Sequence, residues 1–369
     1  MTKTILEKIY RFPFKGFPGQ ELSEAALKVE TGIPHDRQFA ITKGTVDTGE
    51  WMPARSFYIN STTDGMSKFK LAFDGDTVQL QNVDGMKLEL KLGEAESLEA
   101  ANGQLGEFLG PVGILEGLPE PQIIDRKGDQ PNWDYADTPI SIINAESVKA
   151  VSDVLGEELD PLRFRGNLII SGLPAWEEFS WMGKRIQIGS SELEVHRPID
   201  RCPTPGVNPV TGERDVEVTP GIQEHFGHIH CGMYAKIVKS GDISAGDEFM
   251  VVGDAEMPWH EARTDYASAY ALWPRAAKVV SSDAGSTQTI ITLESATPWP
   301  LPAAVPNQRL RIHIGPDQWT AQYLSGVTSY QYQITVEDSK TGDPVTALLR
   351  NGLAAGETIL VSGPFGKVK

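Results

Sequence analysis

One of the two cysteines of the chain, Cys202, lies in the segment richest in residues that can do chemistry. Arg201 directly precedes it, and Arg197 lies five residues before it. Nearby positive charge lowers the pKa of a thiol and favours the thiolate, which is a soft metal ligand. Pro203 and Pro205 would stiffen the following loop. The pattern fits a site for an anionic, metal-bearing ligand, or a buried structural cysteine beside surface ion pairs.

A second group of candidate metal ligands follows downstream. Seven residues contain three histidines and the other cysteine: His225, His228, His230 and Cys231. Zinc takes such ligands, usually four in a tetrahedron. If this stretch is a strand, His228 and His230 share one face and Cys231 points to the other, because side chains alternate. Structural zinc is therefore the less favoured interpretation, and a histidine proton donor at a cleft is another.

Short runs of alternating apolar and polar residues dominate the elements that must position these side chains. Such alternation is typical of strands with one buried face, and it occurs over Lys87–Leu92 and Gln331–Asp338. Residues 185–196 contain two such runs around a Gly-Ser-Ser turn at 189–191. This arrangement predicts a β-hairpin.

Three segments carry helix signals. The clearest covers Ala145–Leu155, which follows Asn144 as a candidate N-cap and ends before Gly156. Weaker signals cover Ser97–Leu109 and Thr346–Leu353. We therefore predict a mainly β protein with some α-helix, built from small barrels.

Composition and charge limit the class of protein. The 369 residues are enough for two or three domains. With 33 basic and 50 acidic side chains the net charge is −17, which disfavours a nucleic-acid partner. The sequence has neither an apolar run long enough to cross a bilayer nor a secretory signal at its start. It therefore predicts a cytoplasmic protein with no membrane partner and reduced thiols.

Longer motifs carry a family resemblance. FRGN at Phe164–Asn167, the Arg-Cys pair with its prolines, and HFGHIHCGMYAKIV at His225–Val238 together resemble the MOSC domain. That family is named after the C-terminal domain of the molybdenum-cofactor sulfurases. Upstream, GIPHDRQFAI at Gly32–Ile41 and MPAR at Met52–Arg55 resemble the β-barrel domain that precedes MOSC. Within the family, the chain resembles the proteins that reduce amidoximes and other N-hydroxylated bases.

The resemblance implies a division of the chain into three domains. Residues 1–121 would form a MOSC N-terminal β-barrel domain, and 122–254 the MOSC β-barrel. A linker would cover 255–276. Residues 277–369, which close on VSGPFG, resemble the flavin-binding β-barrel of the ferredoxin-reductase family.

The same resemblance implies the site. Cys202 would be the catalytic cysteine and the metal ligand of a pyranopterin molybdenum cofactor. Cofactor-binding roles fall on five further residues: Lys15, Arg37, Arg165, Asn167 and Arg201. The cations suit the phosphate, and an amide can both donate to and accept from a pterin edge. A loop-structuring network is the alternative role for the arginine and asparagine of FRGN. The chain departs from the family pattern at Gly16, His35 and Gly166.

The resemblance of the C-terminal segment implies that FAD could bind there. The tyrosine of the family's Arg-x-Tyr-Ser/Thr motif falls on Tyr323, but Ala321 stands at the arginine position and Leu324 follows the tyrosine. The flavin pyrophosphate would then lose a cationic partner. We therefore interpret Tyr323 as a core residue rather than a flavin contact.

The function implied is an oxidoreductase that takes oxygen from a small N-hydroxylated substrate. Its electrons would come from a ferredoxin or flavin reductase, as a partner or as a domain. Two alternatives stay open. Cys202 would carry a persulfide in a sulfur carrier or cofactor chaperone, or the barrels would form a non-catalytic docking module for redox proteins.

Overall fold

The computed structural model describes residues 3–63, 65–114, 117–127, 131–226, 228–255, 275–296, 301, 304–315, 318–328, 331–337 and 343–365. Within these ranges strands outnumber helices, so the prediction of a mainly β protein is confirmed. The strands of the first 254 residues are β1 (Ile5–Arg11), β2 (Gln20–Leu22), β3 (Glu24–Leu27), β4 (Phe39–Ile41), β5 (Lys70–Phe73), β6 (Thr77–Gln81), β7 (Lys87–Lys91), β8 (Ile123–Asp125), β9 (Ile140–Asn144), β10 (Leu168–Ser171), β11 (Lys184–Ile188), β12 (Ser191–Asp200), β13 (His230–Lys239), β14 (Gly241–Ser244) and β15 (Phe249–Asp254).

The remaining described strands are β16 (Arg275–Ala284), β17 (Gln288–Ser295), β18 (Arg309–Gly315), β19 (Gln318–Val327), β20 (Gln331–Glu337) and β21 (Thr358–Phe365). The described helices are α1 (Ala95–Gly103), α2 (Leu105–Phe108), α3 (Ala145–Leu155), α4 (Val218–Phe226) and α5 (Pro344–Arg350). None of them is both long and apolar enough to span a bilayer.

An eight-stranded sheet forms the framework of the candidate site. Its order is β15-β11-β12-β13-β9-β10-β1-β2. The central strands β9 and β10 run parallel and are buried, with Ile142 and Leu168 at 0% exposure. Sheets covered on both faces need such continuous apolar strands. This one sheet therefore includes β1 and β2 from the start of the chain and β12, the strand that leads into Cys202.

The other N-terminal strands form smaller sheets around a second core. Strands β5, β6 and β7 pair with one another, and β4 pairs with β8. Their core contains clustered aromatic rings such as Phe14, Phe17 and Phe69, all buried. Strand β3 pairs with β14, which lies more than two hundred residues later. The limits of the first two predicted domains stay predictions, since strands of each segment pair with strands of the other.

The C-terminal strands close into a barrel in the order β16-β17-β20-β19-β18-β21. The barrel has its own buried core, which includes Val279, Leu310 and Val361. A β-barrel at this end of the chain agrees with the fold class that the sequence predicts. Most of the predicted linker, 256–274, lies outside the described residues.

The local signals in the sequence gave correct elements where capping or turn chemistry was strong. Helix α3 has the predicted bounds, and the Asn144 side chain accepts a hydrogen bond from the Glu146 amide at 3.1 Å. The predicted hairpin is β11–β12. The single helix expected over Ser97–Leu109 is wrong, because Gln104 separates α1 from α2. Helix α5 begins two residues before its prediction, where Asp343 caps the first turn.

Candidate functional site

A cleft of about 410 Å³ lies where the N-terminal segment meets the large sheet. One wall comes from the loop after β1, another from residues 131–139 before β9, and a third from the loop after β12. The cleft brings together all six residues that the sequence predicts for the site: Lys15, Arg37, Arg165, Asn167, Arg201 and Cys202. Their roles stay predictions, but their convergence from distant parts of the chain defines one site.

Cys202 is exposed on the wall of this cleft, whereas Cys231 is buried. The Cys202 thiol donates to Thr204 Oγ1 at 3.2 Å, and Thr219 Oγ1 donates to the Cys202 carbonyl at 2.8 Å. Burial raises the pKa of the Cys231 thiol far above its usual range, which keeps that thiol protonated. The interpretation of Cys202 as a buried structural cysteine is therefore wrong, and it fits Cys231.

Arg201 braces the backbone beneath Cys202. Its Nε donates to the Cys231 carbonyl at 2.7 Å, and its Nη1 donates to the Phe164 carbonyl at 2.8 Å. Only 9% of Arg201 is exposed. These contacts make Arg201 a residue that holds the loop in place, although it also lines the cleft. The second arginine near the cysteine, Arg197, stacks on the ring of Tyr135 at 4.5 Å.

Lys15 is buried and already paired. Its Nζ donates to Asp134 Oδ1 at 2.7 Å and to the Asn132 carbonyl at 2.8 Å. Burial lowers the pKa of Lys15, and the Asp134 charge opposes that effect. Burial alone would raise the pKa of Asp134, but the charges of Lys15 and Arg37 hold it well below its usual range. The predicted phosphate lysine thus has a carboxylate beside it, which the sequence analysis missed.

Arg37 and Arg165 stack on the same buried ring. Their guanidinium carbons lie 4.8 Å and 4.5 Å from the centroid of Phe12. Arg37 is ion-paired with Asp36 and donates to Asn167 Oδ1 at 3.3 Å. It also donates to the Arg165 carbonyl at 3.2 Å. Arg37 therefore fixes the backbone that presents Arg165.

The guanidinium of Arg165 has no hydrogen-bond or ion-pair partner among the described residues, although it lines the cleft. Burial and the charge of Arg37 lower its pKa to about 10, while the charges of Asp134 and Asp36 act in the opposite direction. A buried guanidinium that lines a cleft without a hydrogen-bonded or ion-paired carboxylate is a site for an external anion. Arg165 is thus the best-placed anion-binding residue of the cleft.

Asn167 serves the loop-structuring role that was the alternative in the sequence analysis. Its Oδ1 accepts hydrogen bonds from the amide and the hydroxyl of Ser141 at 3.2 Å and 2.9 Å. Its Nδ2 donates to the Tyr10 carbonyl at 3.2 Å. The side chain thereby joins β1, β9 and the turn before β10. At Gly166, a Cβ atom would lie 2.3 Å from Ile143 Cγ1, which accounts for glycine where the family has proline.

The histidine cluster does not line the cleft. His228 is buried among the aromatic rings of Trp176, Phe179 and Phe226. His230 Nε2 lies 3.0 Å from Asp200 Oδ1. Among the residues that the structure describes, no group of three or more His, Cys, Asp and Glu side chains is arranged to hold a metal ion.

The interpretation of Tyr323 as a core residue is wrong. The residue is 60% exposed on β19 and lies opposite Arg309 of β18. Alternation along the strand places its neighbour Leu324 in the barrel core instead. The exposed ring offers no built flavin site by itself.

One cleft wall thus combines the exposed thiol of Cys202 with the Arg165 guanidinium, which has no hydrogen-bond or ion-pair partner among the described residues. Residues 125–250 match the family model described as the MOSC domain, and this part of the chain is a MOSC domain. The N-terminal strands of the large sheet and the C-terminal barrel lie outside that match.

Curated relatives carry the name molybdenum cofactor sulfurase. Molybdenum cofactor sulfurase 2 of Culex quinquefasciatus is 36% identical over 275 residues, which cover 66% of this chain and 35% of the relative. The molybdenum cofactor sulfurase of Caenorhabditis briggsae is 24% identical over 225 residues, covering 59% and 31%. The chain therefore spans about a third of the length of these relatives.

Solved structures give weaker similarities. YiiM from Geobacillus stearothermophilus has a TM-score of 0.28 and 18% identity, covering 36% of this chain and 65% of that protein. The flavohem-like FAD/NAD binding domain of nitric oxide dioxygenase from Vibrio cholerae has a TM-score of 0.22 and 20% identity, covering 25% and 44%. Similarity at this level supports no functional conclusion.

Proposed function

We propose that the cleft binds the molybdenum cofactor, that Cys202 is a ligand of the metal, and that the protein reduces N-hydroxylated compounds. One observation carries the proposal. An exposed thiol shares the cleft wall with Arg165, whose guanidinium makes no ion pair or hydrogen bond with a carboxylate in the described part of the chain. A soft sulfur ligand beside an unsatisfied cation suits a metal-bearing organic phosphate.

The residues present fit this cofactor. The Arg165 guanidinium can bind a phosphate by donating two parallel hydrogen bonds, and Arg37 holds the Arg165 backbone in place for that contact. Cys202 can supply a sulfur ligand, because its sulfur is accessible and lies on a loop fixed by Arg201 and Thr219. Lys15 is already neutralised by Asp134, so we assign it to the structure of the wall rather than to the phosphate.

When bound, the cofactor would supply a metal that exchanges two electrons and accepts oxygen. The net reaction converts an N-hydroxylated base, two electrons and two protons into the reduced base and water. This chain would orient the substrate and exclude water within a cleft of about 410 Å³. The electrons would come from a ferredoxin or a flavin-containing reductase.

The test compares two cysteine variants made in a molybdenum-replete host. Cys202→Ala should lose most of its molybdenum by elemental analysis, since the soft ligand is gone. Cys231→Ala is the matched control, because its thiol is buried away from solvent, and it should keep the metal. Molybdenum retained equally by both folded variants would contradict the assignment.

A sulfur carrier is the second candidate, and the names of the relatives favour it. Here the Cys202 thiolate would attack the outer sulfur of a donor persulfide. A new S–S bond forms on Cys202, and the donor leaves as a thiolate. Mass spectrometry of freshly purified protein separates the two candidates. One added sulfur on Cys202 without molybdenum supports the carrier, whereas molybdenum without the adduct supports the reductase.

A further inference from the structure

Asp134 is a carboxylate on the cleft wall that no step of the proposed function uses. Its side chain is 49% exposed, and the aromatic residues on either side, Trp133 and Tyr135, also line the cleft. The loop that presents it, 131–139, leads directly into the buried strand β9. A ligand in the cleft therefore meets this carboxylate.

Two buried side chains hold the carboxylate in a defined orientation. Lys15 Nζ donates to Oδ1 at 2.7 Å, and the Tyr234 hydroxyl donates to Oδ2 at 3.3 Å. Lys15 and Tyr234 are 5% and 8% exposed. An ionised carboxylate has about four acceptor positions, so about two stay available. Each oxygen thus retains capacity to accept a hydrogen bond from a ligand.

The charge of Asp134 determines which ligand groups it tolerates. Burial would raise its pKa, but Lys15 and Arg37 hold that pKa low, so the group is an anion at neutral pH. It repels a phosphate and accepts hydrogen bonds only. The natural complement of two carboxylate oxygens is a pair of parallel N–H donors, as in an arginine–carboxylate fork.

The same loop holds two further polar atoms that are buried. Trp133 Nε1 and Thr138 Oγ1 are buried without a hydrogen-bond partner among the described residues. Trp133 is 4% exposed and Thr138 is 3% exposed, and both line the cleft. Leaving such atoms unpaired costs about 1–3 kcal/mol each, so the loop carries polar groups that the described residues do not satisfy.

We propose that Asp134 is a specificity-determining residue that receives an amidine-like edge, meaning two adjacent N–H donors on one conjugated group. A pterin has this edge on its 2-amino-pyrimidinone ring, and an amidoxime has a related pair of donors, its amino N–H and its oxime O–H. The inference rests on the proposed function. In it, Arg165 binds the phosphate of the ligand and Asp134 accepts hydrogen bonds from its uncharged donor groups. It also accounts for the pairing of Lys15, which fixes the acceptor instead of binding the ligand.

The first experiment uses probes on the cofactor-free protein. Pterin and lumazine differ at one position, where lumazine has oxygen in place of the 2-amino group. The wild-type protein should bind pterin about tenfold more tightly than lumazine by isothermal titration calorimetry, because the carboxylate repels the second oxygen. Asp134→Asn should abolish or reverse this preference, since an amide can donate to that oxygen.

The controls separate recognition from structure. Asp137→Asn changes a carboxylate of similar exposure in the same loop, which pairs with Arg197 at 3.5 Å and does not line the cleft. It should keep the pterin preference. If Asp134→Asn fails to fold because Lys15 loses its partner, the Lys15→Met/Asp134→Asn double variant removes both charges together. The preference is a ratio within one protein, so a general loss of stability does not change it.

A second arm identifies the source of the N–H edge. In the molybdenum-loaded protein, a raised KM for benzamidoxime in Asp134→Asn with an unchanged pterin ratio assigns the edge to the substrate. A changed pterin ratio assigns it to the cofactor. The proposal is overturned if the wild-type protein binds pterin and lumazine about equally, if neither Asp134→Asn nor Asp137→Asn alters that ratio, and if the KM for benzamidoxime is unchanged in Asp134→Asn. Absence of molybdenum from the wild-type protein contradicts only the proposed function, because the probe titrations need no metal.

Discussion

Arg165 shows how a single residue is held in a costly conformation for its side chain. Its φ of 53° lies in the left-handed region, which costs a non-glycine residue about 1–2 kcal/mol. The Arg165 amide donates to the Leu162 carbonyl at 3.0 Å, and the Arg37 guanidinium donates to the Arg165 carbonyl. Strained residues fixed in this way cluster at functional sites. The backbone therefore maintains a guanidinium in the cleft at the expense of local stability.

Replacing Arg165 with glycine separates function from stability. Relief of the strained φ should offset the lost contact with Phe12, so the free energy of unfolding should change by less than about 1 kcal/mol. Affinity for inorganic phosphate should fall about tenfold, as expected for the loss of a charge-assisted hydrogen bond. Asn307→Gly, at another positive φ of 70°, is the control and should bind phosphate normally. Unchanged phosphate affinity in Arg165→Gly would refute the role given to this arginine.

At the scale of elements, the sequence predicts those helices and turns whose formation depends on residues close together in the chain. Helix α3 and the β11–β12 hairpin depend on a cap and a turn, which are local signals. The pairing of β1 with β10 joins segments about 160 residues apart, and no local pattern specifies it. The Lys15–Asp134 ion pair spans 119 residues, so the sequence predicted Lys15 as free to bind phosphate. Family motifs indicated which residues converge, but not which of them already have partners.

Gly232 of strand β13 lies directly against Arg201, the residue that holds the loop of Cys202 in place. Its φ is 84°, and an added Cβ atom would lie 2.5 Å from the Ile142 carbonyl and 3.1 Å from Arg201 Nη2. Gly232→Ala should lower the free energy of unfolding by about 2–4 kcal/mol, from backbone strain and overpacking together. Because Arg201 would shift, molybdenum retention should also fall.

Gly246 provides the control for this substitution. Its φ is 95°, but nothing lies within 4 Å of an added Cβ atom. Gly246→Ala should therefore cost only the strain of about 1 kcal/mol and should retain the metal. Urea unfolding and elemental analysis measure the two effects. Equal losses in both variants would show that crowding at Gly232 does not matter.

The whole molecule combines an acidic surface with a cationic cleft. The net charge is −17, yet the cleft wall contains five cationic residues: Lys15, Arg37, Arg163, Arg165 and Arg201. Of these, Arg163 is paired with Asp215 at 2.7 Å, and two of the others are also paired with carboxylates. Arg201 donates to two backbone carbonyls, so Arg165 is the cleft cation whose guanidinium has no hydrogen-bond or ion-pair partner among the described residues. That arrangement favours a single phosphate group over an extended polyanion.

The cleft and the C-terminal barrel are built from separate parts of the chain, and a shortened protein tests whether the cleft depends on the barrel. Every lining residue described lies between Lys15 and Tyr234, whereas the barrel begins with β16 and has its own core. A chain ending at Asp254 should therefore retain molybdenum at the level of the full chain. It should unfold at a lower temperature, because β16 packs against Glu177–Trp181 and that contact would be lost. Full-length Cys202→Ala, which should lack the metal, sets the lower limit of the measurement. Loss of molybdenum from a shortened protein that keeps its circular dichroism spectrum would show that the barrel contributes to cofactor binding.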